Sequence, residues 1–130
     1  MENVMFTAFE GVDTMALLGG ANEVTLDGLD FGVIGFDAAC TVCRFNTFES
    51  KAAGLSVERV VGKHLFNVVA PCMNNFLVAQ RFEEAVQAGS SLDVMIDYVL
   101  TLKMRPTKVK LRLLATPGAE LRYVLVQRKV

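Results

Sequence analysis

The chain has 130 residues, a net charge of −1, 52% hydrophobic residues and 21% charged residues. This balance predicts one packed globular domain and excludes a disordered tail. The net charge is close to zero, so the composition does not indicate binding to nucleic acid or to an anionic membrane surface. No apolar run reaches the roughly 18 residues of a membrane-spanning helix. The acidic N-terminus lacks the basic start of a secretory signal. The three cysteines are expected to be reduced thiols, so a reducing cytoplasm is the expected location.

The N-terminal residues predict a small helical cap. Residues 13–18 form a short amphipathic pattern that Gly19 and Gly20 close. We therefore divide the single domain into a cap over residues 1–28 and a core over residues 29–130. The apolar side chains expected to join the cap to the core are Phe6, Phe9, Met15 and Leu17.

The first half of the core predicts two strands and then helices. Residues 31–37 and 41–45 are mostly apolar and flank a short polar turn, as in a hairpin. Short helical pieces follow over residues 46–62, and one of them has Ser56 as its predicted N-cap. The main helix is predicted over residues 76–87, where apolar residues share one face and polar residues the other.

The second half of the core predicts three antiparallel strands over residues 92–102, 108–113 and 121–128. The middle strand alternates basic and apolar residues strictly, which predicts one face towards solvent and one towards the core. The whole order predicts an α+β fold, with a five-stranded antiparallel sheet, helices packed on it and an N-terminal helical cap. That order matches the PAS arrangement.

Three cysteines raise the question of thiol chemistry. Cys40 and Cys43 form a CxxC in the predicted hairpin, but no second CxxC or paired histidines accompany them, so plain reduced thiols are favoured over a metal or redox site. Cys72 follows Pro71, which fixes its own φ and biases Ala70 towards an extended conformation. A thiolate there can form a thioester, attack a carbonyl or bind a metal, and the alternative is a buried structural cysteine.

Several segments of this sequence together resemble the photoactive yellow protein family, over nearly the whole chain and with few gaps. They are residues 26–32 (LDGLDFG), 60–63 (VVGK), 67–72 (NVVAPC), Met104 with 106–110 (PTKVK), 123–126 (YVLV) and 128–130 (RKV).

The resemblance implies a function and the residues that carry it. In that family the cysteine matching Cys72, which follows Val69, Ala70 and Pro71, holds 4-hydroxycinnamic acid (p-coumaric acid) as a covalent thioester. The glutamate matching Glu49 is buried, protonated and hydrogen-bonded to the phenolate. Light isomerises the chromophore, and this glutamate then gives up its proton, which leads to the signalling state.

The remaining expectations also follow from the resemblance. A methionine matching Met104 speeds the thermal return to the dark state in the family. The chain is then a blue-light photoreceptor without enzymatic activity. It acts on an unknown downstream signalling protein, as a monomer or weak homodimer.

The sequence departs from the family at the phenol end of the pocket. Phe45 aligns with the tyrosine that shares the phenolate, Ala53 with a threonine and Leu55 with an arginine, while Leu65 and Leu100 replace aromatic wall residues. Losing one donor to a buried anion costs about 1.5–3 kcal/mol, which corresponds to about 1–2 pKa units. We therefore expect a raised phenol pKa and a spectrally altered chromophore.

Two other functions remain open at this point. The chain can be a PAS regulatory or ligand-binding module that has lost photochemistry. This hypothesis is favoured by Phe45, Ala53 and Leu55. It can also be a thiol enzyme that pairs Cys72 with His64, although no acid or amide is placed to orient the imidazole. A surface or packing role is the expected one for His64.

Overall fold

The computed structural model describes residues 9–11, 14–101 and 106–128. Its five strands are β1 (Gly32–Phe36), β2 (Val42–Phe45), β3 (Leu92–Leu100), β4 (Thr107–Ala115) and β5 (Arg122–Arg128). Its α-helices are α1 (Thr14–Gly20), α2 (Glu23–Asp27), α3 (Thr47–Ala53), α4 (Val57–Val60) and α5 (Ala79–Ala88). A π-helical turn (Leu65–Val69) and a 3₁₀ turn (Pro71–Met73) lie between α4 and α5.

The strands form one antiparallel sheet in the order β2-β1-β5-β4-β3. The N-terminal hairpin joins the C-terminal three strands through β1 and β5, where Gly32 lies opposite Val126 and Ile34 opposite Val124. This sheet with its helices confirms the predicted α+β class and PAS fold.

Both faces of the sheet are covered, and each has its own hydrophobic cluster. The larger cluster, here the main core, lies between the sheet and the segment from α4 to α5, and includes Val124 and Val126 of β5. The smaller cluster, here the cap core, includes Tyr123 and Leu125 of the same strand. Alternation along β5 therefore places side chains in two separate cores.

The cap core is anchored differently from the prediction. Phe9 and Leu18 are buried in it, and Met15 packs against it. Leu18, rather than the half-buried Leu17, is thus the main anchor of α1, and Phe6 lies outside the described residues. Helix α1 also continues through Gly19 and Gly20 instead of ending before them.

The prediction that β4 turns a polar face to solvent is wrong at Arg112. This residue is only 3% exposed, because the N-terminal segment covers this face of the sheet. The guanidinium forms two 2.8 Å hydrogen bonds to the Asp93 carboxylate. It also donates to the carbonyl oxygens of Phe9 and Gly11.

The main helix begins three residues later than predicted. The Asn75 side-chain oxygen accepts hydrogen bonds from the backbone N–H groups of Leu77 and Val78, which holds a turn where the helix was expected. Phe76 is consequently 70% exposed. The predicted stop is confirmed, since Gly89 has a φ of 66° in the left-handed region that glycine favours.

Across the described ranges, no helix is long and apolar enough to span a bilayer.

Candidate functional site

Cys72 lies in the 3₁₀ turn that follows the π-helical turn. His64 precedes that π-helical turn, and its Nδ1 accepts hydrogen bonds from the backbone N–H groups of Phe66 and Asn67. The histidine therefore caps a turn, which is a structural role. The Ala70 N–H then donates to the Leu65 carbonyl at 2.7 Å and closes the π-helical turn just before Pro71.

Two polar side chains fix the backbone at Cys72. The Tyr98 hydroxyl donates to the Cys72 carbonyl oxygen at 2.5 Å, and the Asn75 amide nitrogen donates to the same oxygen at 3.1 Å. Asn75 also donates to the Tyr98 hydroxyl oxygen at 2.6 Å. The thiol is free and half-buried against the main core, at the end of a firmly held backbone segment.

Most of the predicted pocket residues belong to the main core or pack against it. Those buried in the main core are Phe45, Leu65, Ala70 and Leu100, and those packed against it are Leu55, Val69 and Cys72. Ala53 is buried outside both clusters, and Pro71 is exposed. Met104 lies outside the described residues.

Glu49 stands in the first turn of α3, three residues after the N-cap Asn46. Asn46 caps the helix by accepting the Glu49 backbone N–H at 3.1 Å. A glutamate at this position often reaches back to the backbone N–H of the N-cap residue. Here that N–H donates instead to the Val33 carbonyl, and the Glu49 side chain turns inwards and is fully buried.

The Glu49 carboxyl group is held by Arg128 at the end of β5. The two guanidinium nitrogens donate to the two carboxyl oxygens at 2.6 and 3.0 Å. Glu49 is 1% exposed and Arg128 16% exposed, so water reaches this pair mainly from the arginine side. Burial raises the pKa of Glu49 above its usual value, and the hydrogen bonds and charge of Arg128 oppose that rise.

Room for this carboxyl group comes from Gly32 on β1. A Cβ atom added at Gly32 would overlap the Glu49 Oε1 atom and lie 2.9 Å from its Cδ atom. The strand therefore needs glycine at this point, and the acid fills the space of the missing side chain.

Sequence reasoning missed Arg128, Tyr98 and Asn75 as site residues. The sequence did contain a pattern that could have indicated Arg128, because alternate residues of a strand share a face. Arg128 follows Val124 and Val126 at that spacing, and both valines face the main core. Tyr98 and Asn75 carried no such signal, since their contact joins a loop to a strand 23 residues further on.

The other thiols show no second site. Cys40 and Cys43 are free, and burial raises the pKa of both, which disfavours the reactive thiolate. Within the described parts of the chain, no group of three or more His, Cys, Asp or Glu side chains is placed to hold a metal ion.

Comparisons with known proteins decide the family. The chain is 33% identical over 128 residues to photoactive yellow protein of Rhodothalassium salexigens, which covers 98% of this chain and 99% of the relative. It is also 33% identical over 111 residues to the protein of the same name from Halochromatium salexigens, covering 85% of this chain and 88% of that one. The chain belongs to the photoactive yellow protein family.

Solved structures agree with this assignment. The photoactive yellow protein domain of the sensor histidine kinase Ppr from Rhodospirillum centenum superimposes with a TM-score of 0.79 at 30% identity, covering 87% of this chain and 98% of that chain. The PAS domain of an HTR-like protein from Haloarcula marismortui has a TM-score of 0.58 at 16% identity, covering 91% and 98%, and supports the fold alone. No family model matches the chain.

Membership in this family of PAS-fold photoreceptors implies a chromophore, and the described residues fit one. A free thiol is present at Cys72, its backbone is fixed by Tyr98 and Asn75, and apolar side chains surround it. A buried carboxyl group, Glu49, is present as the family pattern requires, although Arg128 engages both of its oxygens.

Proposed function

We propose that this chain is a blue-light photoreceptor that carries 4-hydroxycinnamic acid as a thioester on Cys72. The observation that carries the proposal is the free, half-buried Cys72 thiol, held by the 3₁₀ turn against the main core of a photoactive yellow protein fold. When bound, this group supplies a double bond that light isomerises and a phenol that can hold or release a proton.

The residues around Cys72 have separate tasks in this proposal. The Cys72 sulfur holds the acyl group. Tyr98 and Asn75 both bind the Cys72 carbonyl oxygen, so they hold the sulfur-bearing residue in one orientation. The side chains of Phe45, Leu65 and Leu100 are buried in the main core and would exclude water from the chromophore.

Glu49 is the proposed proton donor of the light reaction. Full burial and the resulting rise in its pKa favour a carboxylic acid that holds its proton on Oε1 or Oε2 in the dark. After illumination the same oxygen would release the proton to the phenolate oxygen of the bound group, and Glu49 would become a carboxylate. Output then passes to an unassigned downstream signalling protein, with the chain acting as a monomer or weak homodimer.

A second candidate function is a PAS regulatory or ligand-binding module without photochemistry. The bidentate contact of Arg128 with Glu49 favours this alternative, because a carboxylate bound through both oxygens has no proton to donate. Loss of the light response in a protein that still binds its chromophore would identify this function.

Attachment is tested by mixing the purified protein with activated 4-hydroxycinnamic acid and recording its mass and absorption spectrum. Wild type should gain the mass of one hydroxycinnamoyl group and an absorption band of the bound chromophore. Cys72→Ala should gain neither, while Cys43→Ala, which removes an exposed thiol, should behave as wild type. Labelling that persists in Cys72→Ala would overturn the assignment.

A further inference from the structure

We propose that Arg128 sets the proton affinity of Glu49, so that loss of the Glu49 proton leaves a paired charge in the core instead of a bare one. The proposal rests on the proposed photoreceptor function only where it concerns light. The pairing of Arg128 with Glu49 involves only side chains of this protein, so it can be measured in the protein without chromophore.

The geometry of the pair would stabilise Glu49 once it is ionised. Each carboxyl oxygen of Glu49 receives its own guanidinium nitrogen of Arg128, at 2.6 and 3.0 Å. Arginine keeps its charge at all ordinary pH values, and parallel hydrogen bonds from its planar group bind a carboxylate more strongly than a neutral acid. Arg128 therefore stabilises the form of Glu49 that has lost its proton.

Other charges around Glu49 do not provide this stabilisation. Strand β1, which packs against α3, has no titratable side chain. On α2, Asp27 caps the start of α3 and Glu23 is paired with an arginine on β2. Lys51 of α3 is exposed. Among the described residues, Arg128 is the charged group in contact with the Glu49 carboxyl.

This arrangement changes the expected light reaction. A buried carboxylate without a partner is costly, and that cost favours rapid return of its proton. Arg128 removes much of the cost, because the carboxylate and the guanidinium are close to neutral together. The light-induced state should consequently last longer in wild type than in Arg128→Gln.

The direct test is a pH titration of the glutamate carboxyl carbons by NMR in the chromophore-free protein, with Glu49→Gln identifying the Glu49 signal. Arg128→Gln should move the Glu49 midpoint to higher pH, and Arg128→Lys should move it less. Arg122→Gln is the matched control, since Arg122 lies on the same strand at the same alternation and should leave the midpoint unchanged. An unchanged midpoint in Arg128→Gln would overturn the proposal.

A second measurement covers the case in which Arg128→Gln does not fold. The guanidinium N–H signals of Arg128 in wild type should exchange slowly with water, and Glu49→Gln should accelerate that exchange. Equal exchange in both proteins would also overturn the proposal. Because both measurements use the chromophore-free chain, their failure leaves attachment at Cys72 untouched, and failed attachment leaves the pairing untouched.

Discussion

The absence of a side chain at Gly32 leaves room for the carboxyl group of Glu49. The carboxyl group lies where a Cβ of residue 32 would be, and Arg128 reaches the same point from β5. Burial of Glu49 was expected from the family resemblance and is confirmed. Its partner was not expected, because the basic C-terminal residues were matched to the family as a segment and not placed on a face of β5.

Gly32→Ala should destabilise the protein by about 1–3 kcal/mol, the usual cost of overpacking a core. The added methyl group must displace the Glu49 carboxyl group, because its nearest neighbours include the Oε1, Cδ and Cβ atoms of that residue. Urea denaturation measures the effect. Gly19→Ala is the control, since nothing lies within 4 Å of its added Cβ, and it should be neutral or slightly stabilising.

Phe45→Tyr should lower the phenol pKa of the bound chromophore. The new hydroxyl group gives a buried phenolate another donor, worth about 1.5–3 kcal/mol, or about 1–2 pKa units. Absorbance recorded against pH measures the midpoint at which the visible band of the phenolate disappears. A midpoint equal to that of wild type would mean that Phe45 does not lie near the phenol.

At the scale of elements, hydrophobic pattern predicted the sheet and the helices well, and it failed where side chains cap a turn or a second layer covers a strand. The alternation in β4 was read correctly as a strand. The same alternation could not show that the N-terminal segment covers the face on which Arg112 lies. Likewise, the pattern of α5 was helical from residue 76, but Asn75 holds the first residues in a turn.

Two arginines attach the N-terminal segment to the sheet. Arg112 donates to the carbonyls of Phe9 and Gly11, while Arg44 donates to the carbonyls of Leu18 and Ala21. The prediction that mainly apolar contacts join the cap to the core is therefore incomplete. Each arginine therefore adds two hydrogen bonds between a strand of the sheet and the backbone of the N-terminal segment.

The contact between Asp93 and Arg112 predicts a pH dependence of stability. The hydrogen bonds of Arg112 lower the pKa of Asp93 below its usual value of about 3.9. A lowered pKa in the folded state gives a contribution that is complete above the usual pKa and is lost as the pH falls through the lowered one. Wild type should thus exceed Asp93→Asn in stability at pH 7.

Urea denaturation between pH 7 and pH 3 provides the measurement for that prediction. The difference between wild type and Asp93→Asn should shrink as the pH falls through the acid range. Asp30→Asn, at an exposed loop residue, should match wild type throughout. A constant difference between wild type and Asp93→Asn at every pH would contradict the role of the ionised pair.

The whole molecule combines a five-stranded sheet with a thinner layer on each face, and these parts should differ in stability. Strands β4 and β5 pair along six residue pairs, whereas α1 and α2 have seven and five residues and no sheet pairing. Elements with few packed contacts open most easily. Any conformational stress that follows illumination should therefore open the cap before the sheet.

Hydrogen exchange in light and darkness should show this order of opening in the chromophore-bearing protein. Amides of α1 and α2 should lose protection under blue light, while those of β4 and β5 should keep it. Arg112→Met should lower cap protection already in darkness, because it removes the donors to Phe9 and Gly11. Equal cap protection in light and darkness, with photoconversion verified in the same sample, would argue against release of the cap.

Light should change the absorption of a chromophore bound at Cys72, and transient absorption after a blue flash tests this most directly. Wild type loaded with 4-hydroxycinnamic acid should bleach and then recover thermally in darkness, over repeated cycles. Arg128→Gln should recover faster, and Cys72→Ala should show no signal. A loaded wild-type protein whose absorption does not change after the flash would contradict the photoreceptor function and favour a PAS module without photochemistry.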